Sequence, residues 1–373
     1  NNQLYVGAAL NGEIQDAAFQ ASYINRKNPI GWGVGLGHVP FVTGGGRLPL
    51  RGEPLEPPIG GYNVKIIDEL LIQRQFLQQI NAFAFYPLSI TKRFEVGVST
   101  EFYSIRNTSY QDVYAGIVDS TTGELLGIGP LIEQRRQNGD RFGPVGIYSV
   151  NAAFVGDNSY FGFTAPLQGW RYRIAVEQYM GSFWRFTGLL LDGRRYFYQR
   201  PVTLAVRGMA YGRFGGNSNQ IVNGSYQVQP LFVAQPWFVR GYPYDLLYNQ
   251  ERDLIEASAG SKILVGNFGV RLPFTGPRQL SLINSNFLIT DLNLFFDAGL
   301  GFFTENDLKK QPVDPDPNDG SDPIRHKPLL SAGISLRVNL FGALVLEPYF
   351  ALPLTVPKER REWQWGLNFI PGW

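Results

Sequence analysis

From its first residues the chain alternates with a period of two. Leu4, Val6, Ala8 and Leu10 interleave with Tyr5, Gly7, Ala9 and Asn11, and Ala17, Phe19, Ala21 and Tyr23 with Ala18, Gln20 and Ser22. That spacing sends successive side chains to opposite faces of a pleated strand and predicts β structure rather than helix. The same rhythm recurs to the C-terminus. Phe94, Val96, Val98, Thr100 and Phe102 alternate with Arg93, Glu95, Gly97, Ser99 and Glu101. Later, Leu288, Thr290, Leu292, Leu294, Phe296 and Ala298 oppose Asp291, Asn293, Phe295 and Asp297. Trp363, Trp365, Leu367 and Phe369 oppose Gln364, Gly366 and Asn368. One apolar and one polar face per strand suits a sheet with lipid outside and water inside.

Fourteen such segments are predicted, the last six being Val202 to Arg213, Lys262 to Leu272, Leu288 to Leu300, Leu329 to Leu340, Leu344 to Leu352 and Trp363 to Phe369. Their connections differ in length. Ser89 to Lys92 is a tight turn, whereas Val42 to Gly61, Asn107 to Phe142 and above all Phe214 to Gly260 read as long loops. Short turns alternating with long loops mark an outer-membrane barrel, and backbone groups in a bilayer require such a sheet to close on itself.

Composition agrees. Aromatic residues reach 14% while charged residues are only 17%, below the usual quarter of a soluble domain. No apolar run approaches the 18 or so residues of a membrane helix. The absence of cysteine excludes disulfides and thiolate metal sites, and a net charge of +2 with mixed signs leaves no nucleic-acid footprint. The start, Asn1-Asn2-Gln3-Leu4, carries no signal peptide, as expected of a chain that begins partway through a longer exported product.

Two loop-like motifs fail on inspection. Gly31-Trp32-Gly33-Val34-Gly35-Leu36-Gly37 has glycine at every second position, unlike the G-x-G-x-x-G of a dinucleotide site, and predicts a strand with one bare face. In Asp314-Pro315-Asp316-Pro317-Asn318-Asp319-Gly320-Ser321-Asp322 the glycine is seventh and Arg325 is twelfth, so the calcium-binding EF-hand pattern is not met; a solvated, proline-stiffened loop is the reading. The two histidines, His38 and His326, have no metal-spaced partner, and no G-x-S-x-G elbow occurs. No catalytic residue, cofactor site or metal site is expected, and the barrel is not expected to be an enzyme.

Candidate function lies elsewhere. Trp237-Phe238-Val239-Arg240-Gly241-Tyr242 sits in the longest loop, and Phe296-Asp297-Ala298-Gly299 ends a strand whose polar face carries Asp297. A loop folded inward would bring Arg240 to Asp297, and a buried guanidinium requires such a partner. A solvated external arginine is the other reading.

These two motifs, in this order, together with the alternating aromatics of the last strand, resemble the outer-membrane assembly-factor superfamily (the BamA, TamA and FhaC-type barrels, or bacterial surface antigen family). The resemblance spans most of the chain and is densest from Val202 onward. It implies an all-β fold, a transmembrane antiparallel β-barrel of sixteen strands with about fourteen in this chain, strands three to sixteen, and a long loop folded into the lumen. Residues 1–373 would then be one barrel domain, with two strands and any periplasmic domain upstream. It implies that Val239, Arg240, Gly241, Tyr242, Asp297 and Gly299 form a loop-to-lumen lock. Trp363, Trp365, Leu367 and Phe369 would form the C-terminal strand signal read by the assembly machinery, a role compatible with an interfacial aromatic girdle. The implied function is insertion or export of proteins or lipids in a Gram-negative outer membrane. The implied partners are outer-membrane lipids, client or passenger proteins, and accessory lipoproteins or other outer-membrane proteins. The alternative is a barrel that anchors or exports an upstream soluble domain of the same polypeptide. The opening segment is also similar to Bacteroidota proteins whose barrel follows a periplasmic β-propeller. One departure stands out. Where the family has a Glu two residues before the Arg271-Leu272-Pro273 run, this chain has Gly269, so Asp297 is expected to pair with Arg240 alone unless Glu251, Asp253 or Glu256 substitutes.

Overall fold

A computed structural model describes residues 2–10, 17–119, 121–122, 124–181, 184–222, 225–243, 246–247, 254–255, 258–278, 281–285, 288–308, 327–340 and 344–371. Contacts divide the chain into two compact units, residues 1–83 with 98–148, and residues 84–97 with 149–373.

The first unit is an antiparallel meander. β1 (Asn2–Leu10) pairs with β2 (Ala17–Asn25), and β2 with β3 (Gly31–Arg47) from Asn25–Trp32 to Phe19–His38. The glycine-alternating stretch lies in β3, and its bare face is covered. A Cβ on Gly33 would stand 2.6 Å from the Phe83 ring, and one on Gly35 2.7 Å from the Asn81 amide.

Two stretches expected to be loops are strands. β3 continues to Arg47, β4 (Arg51–Ile59) follows, and β5 (Tyr62–Pro87) begins 18 residues before the predicted Ile80 start. Likewise β6 (Lys92–Val118) and β7 (Leu125–Asp157) span most of Asn107 to Phe142, leaving a turn closed by the Asp119 amide on the Glu124 carbonyl at 2.9 Å. The physical reason is that alternation persists here without its apolar label. Ser109, Gln111, Val113 and Ala115 are all buried at every second position, so half of that set is polar. β5 bonds across to this strand along its length: Ser109 hydrogen-bonds to Glu69, Arg74 donates to the Tyr110 hydroxyl at 3.1 Å, and Asn63 bonds both ways with the Val118 backbone at 2.9 Å.

The second unit carries the candidate site. β8 (Pro166–Gly181), β9 (Phe186–Gln199), β10 (Val202–Phe214), β11 (Lys262–Gly276), β12 (Ile289–Phe302), β13 (Leu329–Leu340), β14 (Leu344–Pro353) and β15 (Gln364–Pro371) pair consecutively, each antiparallel to the next. Of the fifteen strands numbered here among the described residues, fourteen overlap the predicted segments and β4 is additional.

Sorting of side chains in this unit is inverted relative to a water-soluble sheet. On β12, Leu294 is 51% exposed and Phe296 is exposed, while Asp291, Asn293 and Asp297 are buried. Leu204 and Val206 on β10 and Trp365 and Leu367 on β15 face outward in the same way. Soluble sheets bury their apolar face; this pattern is that of a transmembrane antiparallel β-barrel. Arginine at the outward Leu294 position is therefore expected to cost about 2–4 kcal/mol when the protein folds into lipid vesicles. The change is read from the denaturant midpoint of heat-modifiable gel mobility, and an unchanged midpoint would show that Leu294 does not face lipid.

Candidate functional site: an arginine held between two strand carboxylates

The segment between β10 and β11 folds back onto the inward face of its own sheet. Its apolar residues Val233, Val239, Tyr242, Leu246, Leu247 and Leu254 cluster with inward-facing Met209, Ile263 and Val265 and with Leu329 and Val356. Loop residues thus supply much of the apolar core on the face that the strands themselves make polar. A tight turn aims the motif. Gln235 precedes Pro236, and its carbonyl accepts from the amides of Phe238 and Val239, both at 2.8 Å. Proline's fixed φ favours a turn at this point. Trp237 stays 64% exposed at its tip while Val239 is 1% exposed.

Arg240 follows directly. Its Nε donates to Asp297 Oδ2 at 2.7 Å and its Nη2 to Asp297 Oδ1 at 2.9 Å, a bidentate fork. Its backbone amide also donates to Asp297 Oδ2 at 3.3 Å. Its Nη1 donates to Glu347 Oε1 on β14 at 3.0 Å. Beneath it, the Phe295 ring lies 3.4 Å from Cζ, a cation–π contact. Burial disfavours the charged guanidinium, but the hydrogen bonds and charge of Asp297 and the charge of Glu347 outweigh it and hold Arg240 above its ordinary range.

Both carboxylates are themselves positioned. Asn267, opposite Asp297 in the β11–β12 register, donates to Asp297 Oδ1 at 2.8 Å and to the Phe238 carbonyl at 2.7 Å, so it clamps loop backbone and aspartate together. Glu347 accepts from Ser335 Oγ at 2.7 Å and from Arg337 Nη2 at 3.3 Å, both on β13. The result is a chain of alternating charge, Asp297–Arg240–Glu347–Arg337.

The rest of the motif is steric. Gly241 has φ +89°, and a Cβ there would lie 2.8 Å from the Ala351 Cβ. A Cβ on Gly299 would lie 2.5 Å from Val239 Cγ2 and 3.0 Å from Val233 Cβ. Both glycines are therefore points where loop and strand touch backbone to side chain. Tyr242 donates its hydroxyl to the Leu330 carbonyl at 2.7 Å, and burial pushes its phenol up.

Val239, Arg240, Gly241, Tyr242, Asp297 and Gly299 are thus all within one contact network. Asp297 is not the sole carboxylate on Arg240, as the sequence suggested; Glu347 is the second. At Gly269 the Asn293 Oδ1 stands 2.8 Å from where a Cβ would be, so a side chain there would have to displace that amide. Glu251, Asp253 and Glu256 lie outside the described residues, as do His326 and the acidic stretch Asp314 to Asp322. His38 stacks between Phe19 and Phe76 at 5.7 and 5.9 Å. Trp363 just precedes β15, and with Trp365 and Leu367 it is exposed on the outward face; the Phe369 side chain lies outside the described residues. Glu347, Asn267 and Ser335 escaped the sequence reading. For Glu347 the signal was present, since Val345, Glu347, Tyr349 and Ala351 share one parity and all are buried.

No protein-family model and no curated protein matches the sequence. In structure the chain is similar to BamA from Haemophilus ducreyi lacking POTRA domains 1-3, at 11% identity over 99% of this chain and 69% of that one, with a TM-score of 0.45. It is similar to CdiB from Acinetobacter baumannii at 10% identity, over 99% of this chain and 59% of that one, with a TM-score of 0.36. It is similar to the RagAB peptide importer in its open-open state at 10% identity, over 98% of this chain and 37% of that one, with a TM-score of 0.37. The chain thus spans less than two thirds of the latter two.

Proposed function

We propose that this chain is the barrel of an outer-membrane assembly or translocation protein. It inserts or exports proteins or lipids through or beside its sheet, without a cofactor or catalytic chemistry of its own. The observation that carries this reading is the seating of loop residue Arg240 between Asp297 and Glu347 on two different strands. Buried ion networks cost desolvation that hydrophobic packing would avoid, and their best-attested use is to set one conformation against another. In this reading the loop is a gate with a seated and a released state. Its occupancy decides whether the interior is blocked, while outward aromatics such as Trp363 and Trp365 sit at the lipid interface where client strands arrive. Clients or passengers, lipids and accessory lipoproteins are the expected partners.

The test is client folding into vesicles. The purified polypeptide, reconstituted in lipid vesicles, is given an unfolded outer-membrane barrel, and the folded client is scored by gel mobility and protease resistance. Client folding faster than in empty vesicles, and altered by Arg240→Ala, is expected. A rate equal to that of empty vesicles overturns the assembly reading and favours a barrel that anchors or exports a domain of its own polypeptide.

A further inference from the structure

Next to the lock, on the inward face of β11, β12 and β13, the charges do not balance. The β11–β12 register sets Arg271 opposite Asn293, and the β12–β13 register sets Asp291 opposite Arg337. Arg271 and Arg337 therefore flank β12 as diagonal neighbours. Both line one cavity of about 540 Å³, with Arg194, Arg207 and Tyr196 on its wall.

The carboxylates nearby are already committed. Asp192 takes both Arg194 and Arg207, at 2.9 and 3.0 Å. Glu347 takes Arg240 and Arg337, and Asp291 accepts the Thr164 hydroxyl and acts on Arg271 through space, without a salt bridge to it. Arg271 is left over. Among the described residues it makes no salt bridge; its one hydrogen bond is a long one, 3.4 Å from Nη1 to the Pro166 carbonyl, and its Cζ lies 5.6 Å from the Tyr196 ring. Its Nε is buried without a hydrogen-bond partner, whereas Arg337 turns its Nε and Nη2 to Glu347, at 3.2 and 3.3 Å.

An inward guanidinium with so little compensation is unfavourable unless an anion completes it. We propose that Arg271, assisted by Arg337, holds a phosphate group in this cavity. The open fork of Arg271 on one side of the strand, and the remaining Nη1 edge and charge of Arg337 on the other, suit a tetrahedral oxyanion, which offers oxygens on several faces. The phosphate is either free inorganic phosphate or the headgroup of a phospholipid, and a cavity of this volume admits both. The inference goes beyond the gating reading and does not require it: the residue that carries it, Arg271, bonds neither to Arg240 nor to its carboxylates, although Arg337 shares Glu347 with Arg240.

The test is calorimetric titration of the detergent-purified protein with two probes, inorganic phosphate and dihexanoyl phosphatidylglycerol, at fixed ionic strength. Saturable binding of at least one probe is expected, and Arg271→Gln is expected to weaken it about ten- to hundredfold. Binding of both probes assigns a general phosphate site, and binding of the lipid alone assigns a headgroup site. If Arg271→Gln does not fold, as judged by heat-modifiable mobility, Arg271→Lys replaces it. That variant keeps the charge but loses the fork, and is expected to bind several-fold more weakly. Absence of saturable binding of either probe to the wild type, or equal affinity in the folded variant, overturns the proposal.

Discussion

Replacing Arg240 with alanine is expected to unseat the loop and to lower the stability of the barrel by about 3–5 kcal/mol, the usual cost of removing one partner from a buried ion pair. The reason lies in what is left behind. Asp297 is fully buried and, among the described residues, would keep only Asn267 as a side-chain donor, while Glu347, also buried, would retain Ser335 and Arg337. Most of the cost therefore falls on Asp297. Arg240→Lys is expected to recover little of it. An ammonium cannot make the bidentate fork to Asp297 and the bond to Glu347 at once, and it stacks less well on Phe295. The denaturant midpoint of heat-modifiable mobility measures the loss. A midpoint within error of wild type for Arg240→Ala would show that the network contributes nothing to the seated state.

Gly299→Val tests the same seat without touching a charge. A Cβ at this position meets Val239 Cγ2 at 2.5 Å and Val233 Cβ at 3.0 Å, and both belong to the packed loop core. The strand cannot withdraw, because Gly299 is held in ladders with Val265 on β11 and Leu329 on β13. The loop must yield, at a cost of about 1–3 kcal/mol as for other overpacked cores. The same gel shift is expected in the same direction as for Arg240→Ala, and combining the two changes is expected to cost less than their sum, since a loop already released has nothing left to clash with. Full additivity would mean that Arg240 and Gly299 do not act on one loop position.

Much of this was legible in the sequence where a residue's face alone decides its role. Period-two alternation placed Asp297 inward and Leu294 outward, and the strand segments that carry the site needed only small changes at their ends. The tall hairpins β3–β4–β5 and β6–β7 were not legible. In them polar residues such as Ser109 and Gln111 occupy buried positions and are satisfied across strands, so the hydrophobic signal that marks a strand fades while the hydrogen-bond ladder continues. Glu347 was missed for a different reason. Its parity was readable, but its partner comes from a loop 107 residues earlier in the chain, and the strand pattern does not encode where a loop will fold. Gly269 pointed to a missing carboxylate; the network instead draws its second carboxylate from β14.

The central claim, that Arg240 seats the loop against the inward face, is tested most directly by thiol accessibility. The chain has no cysteine, so single cysteines report without background. Val239 is 1% exposed and Trp237, two residues away on the same turn, is 64% exposed. In vesicles, Val239→Cys is expected to react with a water-soluble maleimide at least about tenfold more slowly than Trp237→Cys, as a site that labels only on local opening. Adding Arg240→Ala is expected to bring the two rates together. Equal rates with Arg240 intact, or a Val239→Cys rate that Arg240→Ala leaves unchanged, would contradict the seated loop.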